Sequence, residues 1–169
     1  MKYQVVYESR NGNTRSIAEA IMAVLPSESA KLVDIDAEVP SKEADVYCIG
    51  YGVHSGICSL KLLDLMEFLN GKTILLFATC GLEPTDAYRK LLERNIKPFL
   101  PDQCDYRGMF VCQGAISEDG AAALRRYIEK AGKEDQLQQL DHLVIRAQTH
   151  PDFDDLDAAA QFAKSALRL

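Results

Sequence analysis

The segment from Tyr3 to Leu25, YQVVYESRNGNTRSIAEAIMAVL, holds the reading on which the fold turns. Tyr3–Tyr7 (YQVVY) is a short run of strong β-formers. Glu8–Asn13 is polar and carries one glycine, Gly12. From Thr14 onward the apolar residues Ile17, Ile21, Val24 and Leu25 recur at the spacing of one helical face. Pro26 then ends the pattern. Strand, polar loop and helix in that order make half of a βαβ unit, so the question is whether the pattern repeats.

It does, to the end of the chain. Lys31–Asp36 (KLVDID) reads as a second strand, polar enough to lie near a sheet edge, and Val46–Tyr51 (VYCIGY) as a third. Leu60–Leu69 has helical spacing and stops at Asn70-Gly71. Thr73–Ala78 (TILLFA) is the fourth strand, apolar throughout as a strand covered on both faces must be. Ala87–Phe99 is helical, closed by Pro98 and Pro101, and Gly108–Cys112 is the fifth strand. Helical segments follow at about Ala121–Ala131, Asp135–Ala147 and Asp152–Leu167. Alternation of this kind predicts a parallel sheet of five strands with helices on both faces, a three-layer α/β/α sandwich built as one domain over residues 1–169. The stretch Asp135–Ala147 exceeds what the alternation requires.

Composition narrows the function classes. Apolar residues make 47% and charged residues 26% of the 169 residues, the balance of an ordinary folded domain. The net charge of −6 opposes binding to nucleic-acid backbones or anionic membranes and leaves small molecules or basic protein partners. No apolar run is long enough to span a bilayer, and Glu8 and Arg10 interrupt any apolar leader. The five cysteines (Cys48, Cys58, Cys80, Cys104 and Cys112) form no C-x-x-C pair and match no metal-ligand spacing. Unpaired thiols in that number point to a reducing, cytoplasmic compartment. No arginine stands six places after any cysteine, which excludes the small phosphatases that use that spacing.

The chemistry concentrates in Ser9-Arg10-Asn11-Gly12-Asn13-Thr14. The loop follows the first strand and opens the first helix, where unpaired N–H groups and the positive dipole end attract an anion. Gly12 permits the tight turn, and the Ser, Asn and Thr side chains supply short donors. No Gly-Lys-Ser/Thr motif is present, and G-x-G-x-x-G spacing is absent. A single terminal phosphate, held mostly by neutral donors, suits the loop better than a triphosphate or a dinucleotide. Taken alone, such a turn also serves as a helix cap.

In this loop, continued by Arg15-Ser16-Ile17-Ala18, and in the five βα units that follow it, the sequence resembles the flavodoxin family. The resemblance implies the flavodoxin-like strand order 2-1-3-4-5, FMN as cofactor, and a flavin ring between the loops after strands three and four. Those loops are Gly52-Val53-His54-Ser55-Gly56-Ile57-Cys58 and Thr79-Cys80-Gly81-Leu82-Glu83-Pro84-Thr85. The cofactor-binding residues so implied are Ser9, Arg10, Asn11, Gly12, Asn13, Thr14, Gly52, Val53, His54, Ser55, Gly56, Thr79, Cys80 and Gly81. The N–H groups of Cys80 and Gly81 would face the pyrimidine edge, and Gly56 would supply the peptide that turns toward flavin N5. No tryptophan exists, and neither loop holds an aromatic residue after Tyr51, so the expected ring is bare. His54 either takes the stacking place or is an exposed loop histidine; His142 and His150 read as structural.

The resemblance implies an electron carrier that exchanges electrons with a partner redox protein. No acid–base dyad or nucleophile–histidine pair argues for a stand-alone enzyme. Glu83, Asp86, Glu118 and Asp119 are candidates for steering a basic partner, although each taken singly is also ordinary solvated surface. The alternative is an FMN-dependent NAD(P)H or quinone reductase, or a tetrapyrrole-acting oxidoreductase component, on the same fold. A receiver-like regulatory module would need acids at the ends of strands one and three, where Ser9 and Gly52 stand.

Overall fold

In the computed structural model, which describes residues 1–169, the strands are β1 (Tyr3–Glu8), β2 (Ala30–Asp34), β3 (Val46–Gly52), β4 (Thr73–Cys80) and β5 (Asp105–Gln113). They form one parallel sheet in the order β2-β1-β3-β4-β5. The helices are α1 (Asn13–Met22), α2 (Leu60–Glu67), α3 (Asp86–Ile96), α4 (Glu118–Lys130), α5 (Leu137–Ala147) and α6 (Phe153–Leu167). The predicted α/β class and the order 2-1-3-4-5 are both present.

Burial explains why the central strands read as continuous apolar runs. Every residue of β3 from Val46 to Tyr51, and of β4 from Ile74 to Cys80, is buried. Two cores lie on opposite faces of the sheet. One joins Val6, Tyr47, Ile49, Tyr51, Leu76 and Ala78 to Leu62 and Met66 of α2 and to Leu92 and Ile96 of α3. The other joins Val5, Tyr7, Cys48, Leu75 and Phe77 to Ile17, Ala18 and Ile21 of α1 and to Ala159 and Ala163 of α6. Neighbours along each strand alternate between the two, as the pleat demands.

Several boundaries shift by one to three residues from the sequence reading, and two of the strands show why. The second strand is Ala30–Asp34 rather than Lys31–Asp36, because Ala37 and Glu38 N–H groups turn back onto the Asp34 carbonyl. The fifth strand begins at Asp105, ahead of the predicted Gly108, with a register irregularity opposite Ile74 and Leu76. Both are edge strands, where one open side weakens the apolar signature that marks a central strand.

The surplus helix has a distinct place. α6, not α4, returns to the sheet and packs on α1 and β5. α4 buries no residue and α5 buries only Leu140 and Ala147; the two pack on each other. α6 is started by a capping box between Asp152 and Asp155, in which each side chain accepts from the other's backbone N–H. His150 lies against that cap, its Nδ1 2.5 Å from Asp155 Oδ2, which gives this histidine the structural role predicted.

Candidate functional site

The carboxyl ends of β1, β3 and β4 open onto a cleft with two lobes. A polar lobe of about 490 Å³ is lined by the first loop together with Glu8, Gly52, His54, Thr79, Ser117, Asp119 and Gly120, and by no hydrophobic residue. A contiguous lobe of about 700 Å³ runs between the loops after β3 and β4 and is walled on its far side by Leu82, Tyr88, Ile116, Leu124 and Leu143. This is the crevice where the strand order reverses, the general ligand site of open α/β sheets.

The polar lobe is built on α1. Gly12 is its N-cap in the left-handed region (φ 87°), a conformation that any residue with a Cβ adopts at a cost. An added Cβ there would meet nothing within 4 Å, so the turn, not the space, requires glycine. No backbone N–H from Ser9 to Thr14 donates to a protein acceptor. That leaves a row of donors at a helix start, the arrangement that binds a phosphate. Arg10 is exposed and is the one cation in the lobe, against the carboxylates of Glu8 and Asp119. The anion-binding capacity therefore resides in N–H groups and the helix dipole rather than in net side-chain charge.

Several side chains of this loop are committed to the protein. Asn13 Nδ2 donates to the Ala115 carbonyl at 2.9 Å, and Thr14, buried, shares a hydrogen bond with Thr79 at 2.9 Å between hydroxyls. Ser9 Oγ accepts from Arg15 N–H at 3.3 Å. These contacts fix the loop against β4 and the segment after β5. Asn11 remains exposed and lines both lobes.

The loop after β3 is a hairpin. His54 and Ile57 exchange both backbone hydrogen bonds across Ser55 (φ 52°) and Gly56 (φ 81°), the two positive angles of a type I′ turn. Gly56 is thus already left-handed, and its carbonyl accepts from Asn95 Nδ2 of α3 at 3.1 Å. Val53 N–H donates to the Thr79 carbonyl, which ties this loop to β4. His54 is exposed and lines both lobes.

Across the second lobe, Gly81 N–H has no protein acceptor, whereas its carbonyl accepts from Gln113 Nε2 at 2.9 Å. Cys80 is buried, and burial pushes its thiol up to about 11, so it is a neutral packing group at ordinary pH. Its sulfur touches the carbonyls of Leu82 and Cys112.

All the residues named from the sequence gather around this cleft, Gly12 as the turn that shapes it. The sequence reading missed the fourth wall: Gly114 to Ser117 after β5, and Leu124 and Leu143 of α4 and α5. Ala115 N–H donates to the His150 carbonyl at 2.7 Å, and Gln148 Nε2 to the Ile116 carbonyl at 3.1 Å. Tyr88, which belongs to α3 and to neither loop, also lines the cleft. It sits in the first turn of α3, where the Thr85 cap accepts its N–H. It is half-buried, packed on the core while lining the cleft.

Comparison with known proteins agrees with this geometry. The flavodoxin domain model matches residues 4–164. The flavodoxin-like domain-containing protein BilS of Clostridioides difficile (strain CD3) is 29% identical over 170 residues, covering 99% of this chain and 97% of that protein. Among solved structures, oxidised flavodoxin 1 of Bacillus cereus superposes with a TM-score of 0.61 at 17% identity, covering 99% and 98% of the two chains. An NADH:FMN oxidoreductase in its apo form superposes at 0.53 with 18% identity, over 89% and 92%. At such identities the structural likeness is one of fold. With its sheet order, its cleft at the reversal point and the family match over nearly its whole length, the chain belongs to the flavodoxin domain family.

Proposed function

We propose that the protein binds FMN in this cleft and passes electrons to a partner redox enzyme. The observation that carries the reading is the division of the cleft. A polar lobe with unspent N–H groups at a helix start adjoins a lobe walled by apolar side chains. A mononucleotide with one terminal phosphate and a flat apolar ring has the same division, so the residues present fit it.

In this reading the N–H groups of Ser9–Thr14 hold the phosphate, with Arg10 at its open side. The unspent N–H of Gly81 meets the pyrimidine edge. Ser55 and Gly56 border the middle of the ring, and Tyr88 lies within reach of it as an aromatic neighbour. Bound FMN would supply one- and two-electron redox chemistry, and the chain's work is to bind, orient and shield it. Asp119 at the mouth of the polar lobe, with Glu118 beside it at the start of α4, adds negative potential on the side from which a basic partner would approach. The net charge of −6 supports a protein partner of that kind over nucleic acid or an anionic membrane. The free cysteines fit a reducing, cytoplasmic setting.

The second reading is an FMN-dependent reductase on the same fold, favoured by the open apolar lobe and by the likeness to the NADH:FMN oxidoreductase. Calorimetric titration with FMN, FAD and riboflavin tests the site. FMN should bind at least about 100-fold more tightly than riboflavin, the equivalent of one or two charge-assisted hydrogen bonds. Equal affinities for FMN and riboflavin would refute the phosphate loop. Rapid NADH oxidation by the isolated FMN-loaded protein would move the reductase reading ahead of the carrier.

A further inference from the structure

We propose that a second binding site lies at the other end of the sheet: a polar hollow over the start of β1 that takes a primary alkylammonium group, such as one end of a short aliphatic diamine. It shares no residue with the cleft at the carboxyl ends of the strands, so it stands or falls apart from the FMN reading.

The first observation is topological. The crossovers from β1 to β2, from β3 to β4 and from β4 to β5 each carry a helix, whereas the one from β2 to β3 carries none. Segment 35–45 covers that part of the sheet instead. It is tied down by the Tyr47 hydroxyl, which donates to the Ser41 carbonyl at 2.6 Å, and by ion pairs of Lys31 with Glu38 and of Lys61 with Asp36. Where this segment meets the amino ends of β1 and β2, a hollow of about 350 Å³ remains.

The second observation is a buried oxygen with no donor. Gln4 of β1 stands in a row across the sheet between Lys31 of β2 and Tyr47 of β3. It lines the hollow, is 5% exposed, and its Oε1 is buried without a hydrogen-bond partner. Gln4 is the one polar residue in the buried run Tyr3–Tyr7 of β1, and an unmet oxygen there costs stability that a bound donor would restore.

Charge names the donor. Glu28 and Glu43 line the same hollow and make no ion pair, while Lys31 is committed to Glu38 and Lys2 is the one free cation. Two carboxylates against one ammonium favour a cationic occupant over a neutral or anionic one. A primary ammonium brings three N–H donors, one for the Gln4 oxygen and one for each carboxylate. Ala30 and Ala44 offer apolar wall to its alkyl stem.

The test is amide NMR of the full chain, with and without FMN, at constant ionic strength. The probes are 1,4-diaminobutane, tetramethylammonium as a cation with no N–H donor, and Mg²⁺. Diaminobutane should shift the Gln4 side-chain amide and the Ser29 and Ala44 backbone amides saturably, to the same extent whether or not FMN is present. The other two cations should not. Glu28→Gln and Glu43→Gln should each weaken diaminobutane binding about fivefold, the worth of one solvent-screened charge pair. Gln4→Met should weaken it about tenfold or more, the loss of a hydrogen bond to a charged donor. Glu129→Gln, which removes the same charge from α4 far from the hollow, should leave binding unchanged. Should Gln4→Met fail to fold, seen by thermal unfolding, the two glutamate variants decide the matter. No saturable shift, an equal response to tetramethylammonium or Mg²⁺, or affinity indifferent to Glu28→Gln and Glu43→Gln would overturn the proposal and leave the FMN reading untouched.

Discussion

Two walls of the same cleft are built by opposite means. The loop Ser9–Thr14 is an extension of the core: Ile17, Ala18 and Ile21 of the helix it opens are wholly buried, and Thr14 is bonded to Thr79 beneath the cleft. The wall of α4 and α5 is a surface structure, held by exposed ion pairs and a few hydrogen bonds. Core packing over-determines the first and leaves the second adjustable. The loop at the start of α1 is thus anchored in the core, and the side chains of the α4–α5 wall stand where sequence can vary at small cost in stability.

The largest expected difference between the walls is in stability. Ile17→Ala should lower the unfolding free energy by about 2–5 kcal/mol in urea denaturation, and Leu124→Ala by less than about 0.5 kcal/mol. Comparable losses would show that α4 is part of the core after all. Next is Gly12→Asp, which should weaken FMN binding about 100-fold or more, measured by flavin fluorescence quenching. The empty space around Gly12 separates the causes: Gly12→Ala should cost only the left-handed strain, about 1–2 kcal/mol, and the rest is the carboxylate facing the phosphate.

A smaller effect is expected in the hairpin after β3. Gly56→Val places a β-branched residue at φ 81°, with its Cβ 3.1 Å from Asn95 Nδ2. It should destabilise the protein by about 1–2 kcal/mol in thermal or urea unfolding, and Gly56→Asn by clearly less, because asparagine tolerates the left-handed region. Equal losses would mean that crowding at Asn95, not backbone strain, governs the position. A further effect appears only at alkaline pH. Burial raises Cys80 from 9.0 to about 11 and Cys58 to about 12 in the folded protein, so their protonated forms favour folding. Stability from these thiols is complete below pH 9.0, their unfolded value, and is lost as pH rises through their folded values. Cys80→Ala should flatten the alkaline decline of urea midpoints. No change in that slope would show that burial of Cys80 does not couple to folding. The helices α4 and α5 carry no cysteine and contribute nothing to it.

The sheet, its parallel sense and the place of the polar first loop were all legible in the order of residues along the chain. These are properties of local pattern: central strands are continuous apolar runs because both faces are covered, and a polar glycine-bearing loop between strand and helix has unpaired N–H groups wherever the pair packs. Edge strands were legible only in part, since one open side dilutes the pattern, which is why β5 begins earlier than its apolar residues indicate. The far wall of the cleft emerged only from the packed chain. Leu124 and Leu143 look like ordinary helical apolar positions, and nothing in their spacing says that α4 and α5 turn away from the sheet. Tyr88 carries the same ambiguity, because a helical face that touches the core can also end in a cleft. That Gly56 is already left-handed, with its carbonyl held by Asn95 from a helix 39 residues further along, follows from a long-range contact that no local pattern encodes.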